Sequence, residues 1–181
     1  MSSPSPAAEI AAIRTLALVG PAAAVVQRFA GSRPSKTGNA FAITGHEQSV
    51  ACYLAPDQLL ILGATTSISD LQSVVNIGQE PATEQQDVTC GLAGIHLIGP
   101  NVDKLLRRVV PLDVAEGVFP RGSCAERSCG GIHATIIRDP SWGIRAVRVY
   151  VSWDFGEFLW ELLVDVGQGL GVTPIGIEAW R

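Results

Sequence analysis

The chain of 181 residues carries a formal net charge of −4, with 13 lysines and arginines against 17 aspartates and glutamates, and 47% of its residues are hydrophobic. No basic run longer than Arg107-Arg108 is available to neutralise a phosphate backbone, so composition argues against nucleic acid as a partner. The longest apolar stretch, Leu16 to Val26, is interrupted by Gly20-Pro21 and falls short of the ~18 residues of a membrane span, so the expectation is one compact soluble body without a membrane segment.

Residues 1–9, "MSSPSPAAE", lack both a basic start and a following uninterrupted apolar run. They read as a disordered tail and not as a secretory signal, and the expected location is the cytoplasm. Leu16 to Val19 is a short apolar run of strand length, followed by the sharp turn Gly20-Pro21 and a helical pattern carrying Val25, Val26 and Phe29. "LLILGATTSISDLQSVVNIG", Leu59 to Gly78, reads as an extended run, a small-residue turn and an amphipathic helix closed by glycine.

Both devices recur further along the chain. Ile95 to Ile98 is again a strand, and Gly99-Pro100 is again a turn, with proline suited to the first helical position. Val102, Leu105, Leu106 and Val109 then fall at i, i+3, i+4 and i+7 on one helical face. "VRVYVSWDFGEFLWELLVDVG", Val147 to Gly167, repeats the second device, and an insertion at Pro111 to Cys124 reconciles the two offsets. The expected fold class is α+β: a single domain over residues 10–181 made of two pseudo-repeated halves, about 10–80 and 87–178. Each half is expected to be a strand-helix-strand-strand-helix unit of ferredoxin-like kind with an antiparallel sheet.

Few side chains announce chemistry. Cys52, Cys90, Cys124 and Cys129 are irregularly spaced and read as free buried thiols, and Cys124, Cys129 and His133 cannot complete a recognisable tetrahedral metal motif. "GSRPSKTG" has Ser35 where a phosphate loop needs glycine before Lys36, and it follows a helix instead of a strand. "GQGLG", Gly167 to Gly171, closes a helix where a dinucleotide fingerprint would open one. His46 lies in a turn-like segment, and His96 alternates with Ile95 and Leu97 and faces the other side of their strand. No serine or cysteine is accompanied by a base-bearing motif, so nucleophilic catalysis has no support. In "SWDFGEFLWELL", Phe155, Leu159, Leu162 and Leu163, with Trp153 and Trp160, recur at helical spacing, which predicts a helix packed on the sheet. Asp154 and Glu157 suit the start of that helix electrostatically.

The order of four blocks carries a family resemblance: "YLAPDQLLILG", "DVTCGLAGIHLIGP", "LLRRVVPLDVAEGVFPRGSCAE" and "VYVSWDFGEFLWELL", over roughly Leu54 to Leu170. The chain resembles the gamma subunit of heterotetrameric sarcosine oxidase, and through it the folate-binding domain of the glycine cleavage T-protein, an aminomethyltransferase. The end, "GVTPIGIEAWR", is more similar to the T-protein. The resemblance implies a duplicated αβ module, as the internal repeat does independently. T-proteins follow a Gly-Gly turn with acidic residues, one of them the catalytic aspartate. After Gly130-Gly131 this chain has Ala134 and Thr135 at those places, so the resemblance implies no catalytic residue here. Glu157 runs straight into a helix and does not take the family's pterin-binding role, which leaves Glu178, in "PIGIEA", as the candidate at a folate site shared with another chain.

The expected function is that of a non-catalytic accessory subunit of a sarcosine-oxidase-like complex. Larger partner subunits would carry flavin and NAD, oxidise an N-methyl amine and pass the one-carbon unit to tetrahydrofolate. The loop Gly117 to Ser123, with Phe119, Pro120 and Arg121, is the candidate partner interface, the alternative being a turn with Phe119 tucked into the core. Two other readings stand beside it. One is a folate-binding, aminomethyltransferase-like protein acting alone or as a homodimer, and the other a duplicated module binding a different small molecule.

Overall fold

A computed structural model describes residues 13–19, 38–42, 49–64, 84–140 and 145–175. The first sheet contains β1 (Ile13–Val19), β2 (Asn39–Ala42), β3 (Val50–Ala55), β4 (Gln58–Ala64) and β5 (Glu84–Asp87), in the order β2-β3-β4-β1-β5. The second contains β6 (Leu92–Ile98), β7 (Cys124–Cys129), β8 (Ile132–Arg138) and β9 (Ala146–Ser152), in the order β6-β9-β8-β7. All pairings are antiparallel. Read in chain order, β1 to β4 and β6 to β9 occupy equivalent places, because in each sheet the last strand returns to pair with the first. The expected duplication is thus visible in topology, with β5 added at the outer edge beside β1. The helical patterns expected within residues 20–31 and 65–78, like His46 and the "GSRPSKTG" segment apart from Gly38, lie outside the described residues.

The second half runs strand, helix, three-strand meander, helix, one strand more than the sequence pattern shows. The extra strand is β7. It lies at the sheet edge, Glu126, Arg127 and Ser128 are exposed, and so "CAERSC" carries no apolar alternation to read. Helix α1 (Val102–Val109) buries Val102, Leu105, Leu106 and Val109, the face read from the sequence. It begins at Val102, so Pro100 belongs to the preceding turn, where Gly99 adopts φ 121° and donates its N–H to the Arg145 carbonyl at 3.0 Å.

Each face of the second sheet has a different covering. Ala134, Ile136, Val147, Val149 and Val151 join Leu105, Leu106, Leu159 and Leu163 in one cluster, between the sheet and its two helices. Cys124, Ile137 and Tyr150 point the other way and pack on Ala40, Val50, Cys52, Leu60 and Leu62 of the first sheet. β8 is therefore buried on both sides from Ala134 onward.

The predicted insertion forms the seam between the sheets. Ala40 N–H donates to the Gly122 carbonyl at 2.7 Å, and Cys124 N–H to the Gly38 carbonyl at 2.8 Å. Gly38 and Gly122 adopt φ 84° and 78°, and a Cβ at either would stand 3.2 and 3.1 Å from the carbonyl oxygens of Cys124 and Ala40. Glycine is needed at both places for backbone shape and for close approach.

Helix α2 (Gly156–Gly167) packs through Leu159 and Leu163, with Leu162 partly buried. Trp153, Phe155 and Trp160 do not follow the expectation of packing on the sheet, and Phe158, for which none was stated, also faces outward. Phe155 is 42% exposed, Phe158 44%, Trp160 46% and Trp153 68%. At 100° per residue, Phe158 and Trp160 fall on opposite flanks of the Leu159–Leu163 stripe, so helical spacing alone did not place them inside.

Candidate functional site

The hairpin between β7 and β8 carries the family-like Gly-Gly turn. Gly130 and Gly131 have φ 59° and 96°, the two positive values that a type I′ hairpin turn requires. Gly130 N–H also donates to the Val109 carbonyl at 2.8 Å, which docks the turn on the end of α1. The glycines are explained by backbone geometry, with no ligand required.

Beyond the turn, β8 sends alternate side chains to opposite faces. His133 is exposed and lies 3.4 Å from Glu126. Ala134 is completely buried and belongs to the apolar cluster with Cys129, Ile136, Val149 and Val151. Thr135, directly opposite Tyr150, is buried toward the first sheet. The places expected for carboxylates therefore hold a methyl group in apolar core and a hydroxyl in the layer between the sheets.

The buried charges stand elsewhere. Arg148 on β9 and Asp139 just after β8, each 3% exposed, form an ion pair in which the Arg148 guanidinium donates to the Asp139 carboxylate. On the helical face, Arg138 donates to Asp103 of α1 at 2.8 Å and to the Val114 carbonyl at 2.7 Å. Arg145 reaches the other Asp103 oxygen at 3.0 Å. These groups tie α1, the segment after it and the sheet together, and their carboxylates are occupied by arginines. Sequence reading missed them. The signal was an Arg-Asp pair, Arg138-Asp139, directly after the apolar Ile136-Ile137, and an aspartate beside the apolar stripe of α1.

Neighbouring titratable groups are held in neutral form. Burial, helped by the Arg148 charge, lowers the His96 pKa to about 4, and its Nε2 lies 3.4 Å from the Tyr150 hydroxyl. Burial also pushes Tyr150 up to about 12 and Cys129 up to about 11. Cys52 rises as well, from burial first and then from Cys124 beside it. All four cysteines are free, with Cys90 exposed, unlike the buried thiols expected. A thiol whose pKa is raised by burial is a weaker nucleophile at neutral pH, which applies to Cys52 and Cys129.

His96 predicts a pH effect. A histidine of depressed pKa stays neutral in the fold while the unfolded chain binds a proton below about pH 6.5, so stability falls on acidification. Between pH 6.5 and about 4 the loss from this group is at most about 1.4 kcal/mol per pH unit. Urea titrations across that range should show a flatter profile for His96→Gln.

An apolar cleft of about 390 Å3 lies between β6, the start of α1, α2 and residues 170–175. Ile95, Leu97, Leu105, Trp160, Leu163 and Val172 line it, and the Asn101 amide at its edge already donates to the Leu170 carbonyl at 3.1 Å. Such a cleft can bind an apolar group, and among the described residues His96 is the one ionisable residue of its lining, with its Nε2 3.4 Å from the Tyr150 hydroxyl. Among the described residues, no group of three or more His, Cys, Asp or Glu is placed to hold a metal ion. No described helix is long and apolar enough to cross a membrane.

The structure separates the candidates from the sequence. Phe119 is 5% exposed and lies beneath Arg138, 5.8 Å from ring centroid to guanidinium carbon, which is the tucked-in alternative. Pro120 and Arg121 are exposed, as is Val118, so the loop presents those three. Glu178 lies outside the described residues.

Known proteins are similar to this chain in sequence and in fold. An aminomethyltransferase of Desulforamulus reducens is 29% identical over 143 residues, covering 75% of this chain and 37% of that protein. The sarcosine oxidase subunit alpha of Rhizobium meliloti is 27% identical over 93 residues, covering 50% of this chain and 9% of that protein. The chain thus spans between 9% and 37% of the length of the curated relatives it matches. In fold, a chain of the heterotetrameric sarcosine oxidase from Corynebacterium sp. U-96 matches with a TM-score of 0.71 and 20% identity, over 93% of this chain and 86% of that one. Aminomethyltransferase T of the glycine cleavage system from Bartonella henselae matches with a TM-score of 0.66 and 14% identity, over 86% of this chain and 44% of that one. The GCVT N-terminal domain family matches residues 45–181, and with two antiparallel sheets of equivalent strand order behind that match, the chain belongs to this family.

Proposed function

We propose that the chain is a non-catalytic accessory subunit of a sarcosine-oxidase-like complex in one-carbon metabolism. Larger partner subunits carry flavin and NAD in this reading, and tetrahydrofolate binds, if at all, at a site completed by another chain, to which Glu178 contributes. One observation carries it: Ala134 is fully buried in apolar core at the place where the T-protein resemblance calls for a carboxylate. At that place the chain offers no charge to stabilise a cationic one-carbon intermediate. Support for partners comes from the likeness to a heterotetrameric sarcosine oxidase. The test is a tagged pull-down from the source organism, with mass spectrometry of the co-purifying chains and an absorbance scan. Large flavin-carrying chains in fixed ratio support the proposal, and a lone colourless chain overturns it.

The exposed end of the 117–123 loop is the proposed contact, with Phe119 as its internal anchor. Arg121→Glu is expected to leave the thermal midpoint unchanged and to weaken assembly about tenfold, a loss of ~1.4 kcal/mol. Native recovery of that variant in the complex would remove the loop from the interface. The apolar cleft favours a second reading, a folate-binding protein acting alone or as a homodimer. Under that reading tetrahydrofolate raises the thermal midpoint of the isolated chain in a concentration-dependent way.

A further inference from the structure

Of the aromatic residues that helix α2 and its lead-in turn leave largely in solvent, only Trp160 has a place in the structure described so far, at the edge of the apolar cleft. Trp153, Phe155, Phe158 and Trp160 are all 42–68% exposed within eight consecutive residues. Scattered apolar residues on a surface need no explanation, but four aromatics in one turn and helix start form a concentration of the residue types enriched at interfaces. Leu159 and Leu163 fix the buried side of α2. The helical repeat then sets Trp160 on one flank of the outward side and Phe158 on the other, with Glu157, Glu161 and Asp165 between them.

The charge of this region has one sign. From Val149 to Ile175 the chain contains no Lys, Arg or His, while Asp154, Glu157, Glu161 and Asp165 are all exposed. Arg108 of α1 donates to the Val166 carbonyl at 3.0 Å, at the end of α2 far from the aromatics. A second copy of this chain would bring acidic face against acidic face, which like-charge repulsion disfavours, and an anionic lipid surface is disfavoured for the same reason. The complementary surface is apolar and rimmed by Lys or Arg, whose guanidinium groups can also stack on the indoles.

We infer that the aromatic, acidic outer face of α2 and its lead-in turn is a docking surface for a different protein chain that presents an apolar groove bordered by arginine and lysine. The inference rests on the accessory-subunit reading for the identity of that chain, the larger subunit, and adds a second contact remote in sequence from the 117–123 loop. Electrostatic attraction speeds the encounter, and burial of the indoles holds the complex.

Two sets of variants test it in the full-length protein. Trp153→Ala/Trp160→Ala removes the indoles, and Glu157→Lys/Glu161→Lys reverses the charge. Both variants should keep the circular dichroism spectrum of the wild type, with only a small fall in thermal midpoint, from Trp160 at the edge of the cleft and from Glu157 in the first turn of α2. In pull-downs from the source organism, each is expected to recover at least about tenfold less of the larger subunits, with the wild-type interaction weakening as salt rises. If the wild type captures flavin-carrying subunits and both variants do so equally well, the inference is overturned while the accessory reading stands.

If the wild type captures no such subunits, the accessory reading fails, and the surface is judged on the isolated protein. An amphipathic Leu/Lys helical peptide should then shield the exposed indoles from acrylamide, with its Leu/Glu counterpart inactive. Equal behaviour of the two peptides overturns the inference. So does a homodimer that the Trp153→Ala/Trp160→Ala variant abolishes.

Discussion

Asp139→Ala is expected to destabilise the protein by about 3–5 kcal/mol, which for a fold of ordinary stability removes a third or more of the total. The cause lies in the partner left behind. Arg148 is 3% exposed, and arginine cannot shed its charge as a buried lysine can, so the variant keeps a buried cation between the two sheets without the carboxylate that balances it. Tyr150 and His96 beside it offer only neutral groups, because burial holds the phenol protonated, with its pKa near 12, and the imidazole unprotonated at neutral pH. Urea denaturation of the purified chain measures the effect as a fall in the transition midpoint with little change in slope. A double variant, Asp139→Leu with Arg148→Met, should regain most of the loss, since replacing both members of a buried pair by apolar side chains is often neutral or better. If the single substitution costs less than about 1 kcal/mol, the pair is hydrated and the layer between the sheets is not the dry core that the burial indicates.

Ala134→Asp is the second large expected effect, and it bears directly on function. Installing the family's carboxylate should not create activity. It should destabilise the chain by about 4 kcal/mol or more at neutral pH, because the new group has Ile136, Val149, Val151 and Leu159 around it. Arg127 stands opposite on β7, but it is exposed and its guanidinium donates to the Glu126 carbonyl at 2.7 Å, so it does not offer a buried partner. Burial would raise the folded-state pKa of this carboxyl, with a definite sign for pH dependence. The penalty is largest above the raised pKa and shrinks as pH falls toward the ordinary carboxylate value of about 4, where the unfolded chain also takes up a proton. Comparing urea midpoints of the variant and the wild type at pH 7 and pH 5 separates this from a simple steric effect, which would not vary with pH. A variant as stable as the wild type at pH 7 would show that position 134 admits water, and the non-catalytic reading would lose its main support.

The two sheets illustrate which parts of the architecture can be read from a linear pattern. The apolar face of α1 was legible because Val102, Leu105, Leu106 and Val109 share one helical stripe and meet one sheet. The duplication was legible because two strand-to-helix devices occur twice in the same order. β7 was not, because an edge strand with three exposed side chains has no period to detect. The outward aromatics of α2 were misjudged for the opposite reason. Their spacing is helical, but a helix has flanks, and only contact with the sheet chooses Leu159 and Leu163 as its inner line.

For the candidate site, the sequence alone determined that Ala134 and Thr135, unable to carry charge, stand where the resemblance calls for carboxylates, and that His133 and Ala134 face opposite ways. Tertiary structure decided the surroundings of those positions. Burial depends on what packs from elsewhere in the chain, and β8 is covered on one side by α1 and α2 and on the other by the first sheet. The same dependence put Phe119 under Arg138 and left Val118, Pro120 and Arg121 outside. It also joined Asp103 to Arg138 and Asp139 to Arg148 across the fold. Local pattern fixes the element type and the alternation of faces, since both follow from backbone geometry. Which face is dry, and which charge finds its partner, is a property of the packed molecule.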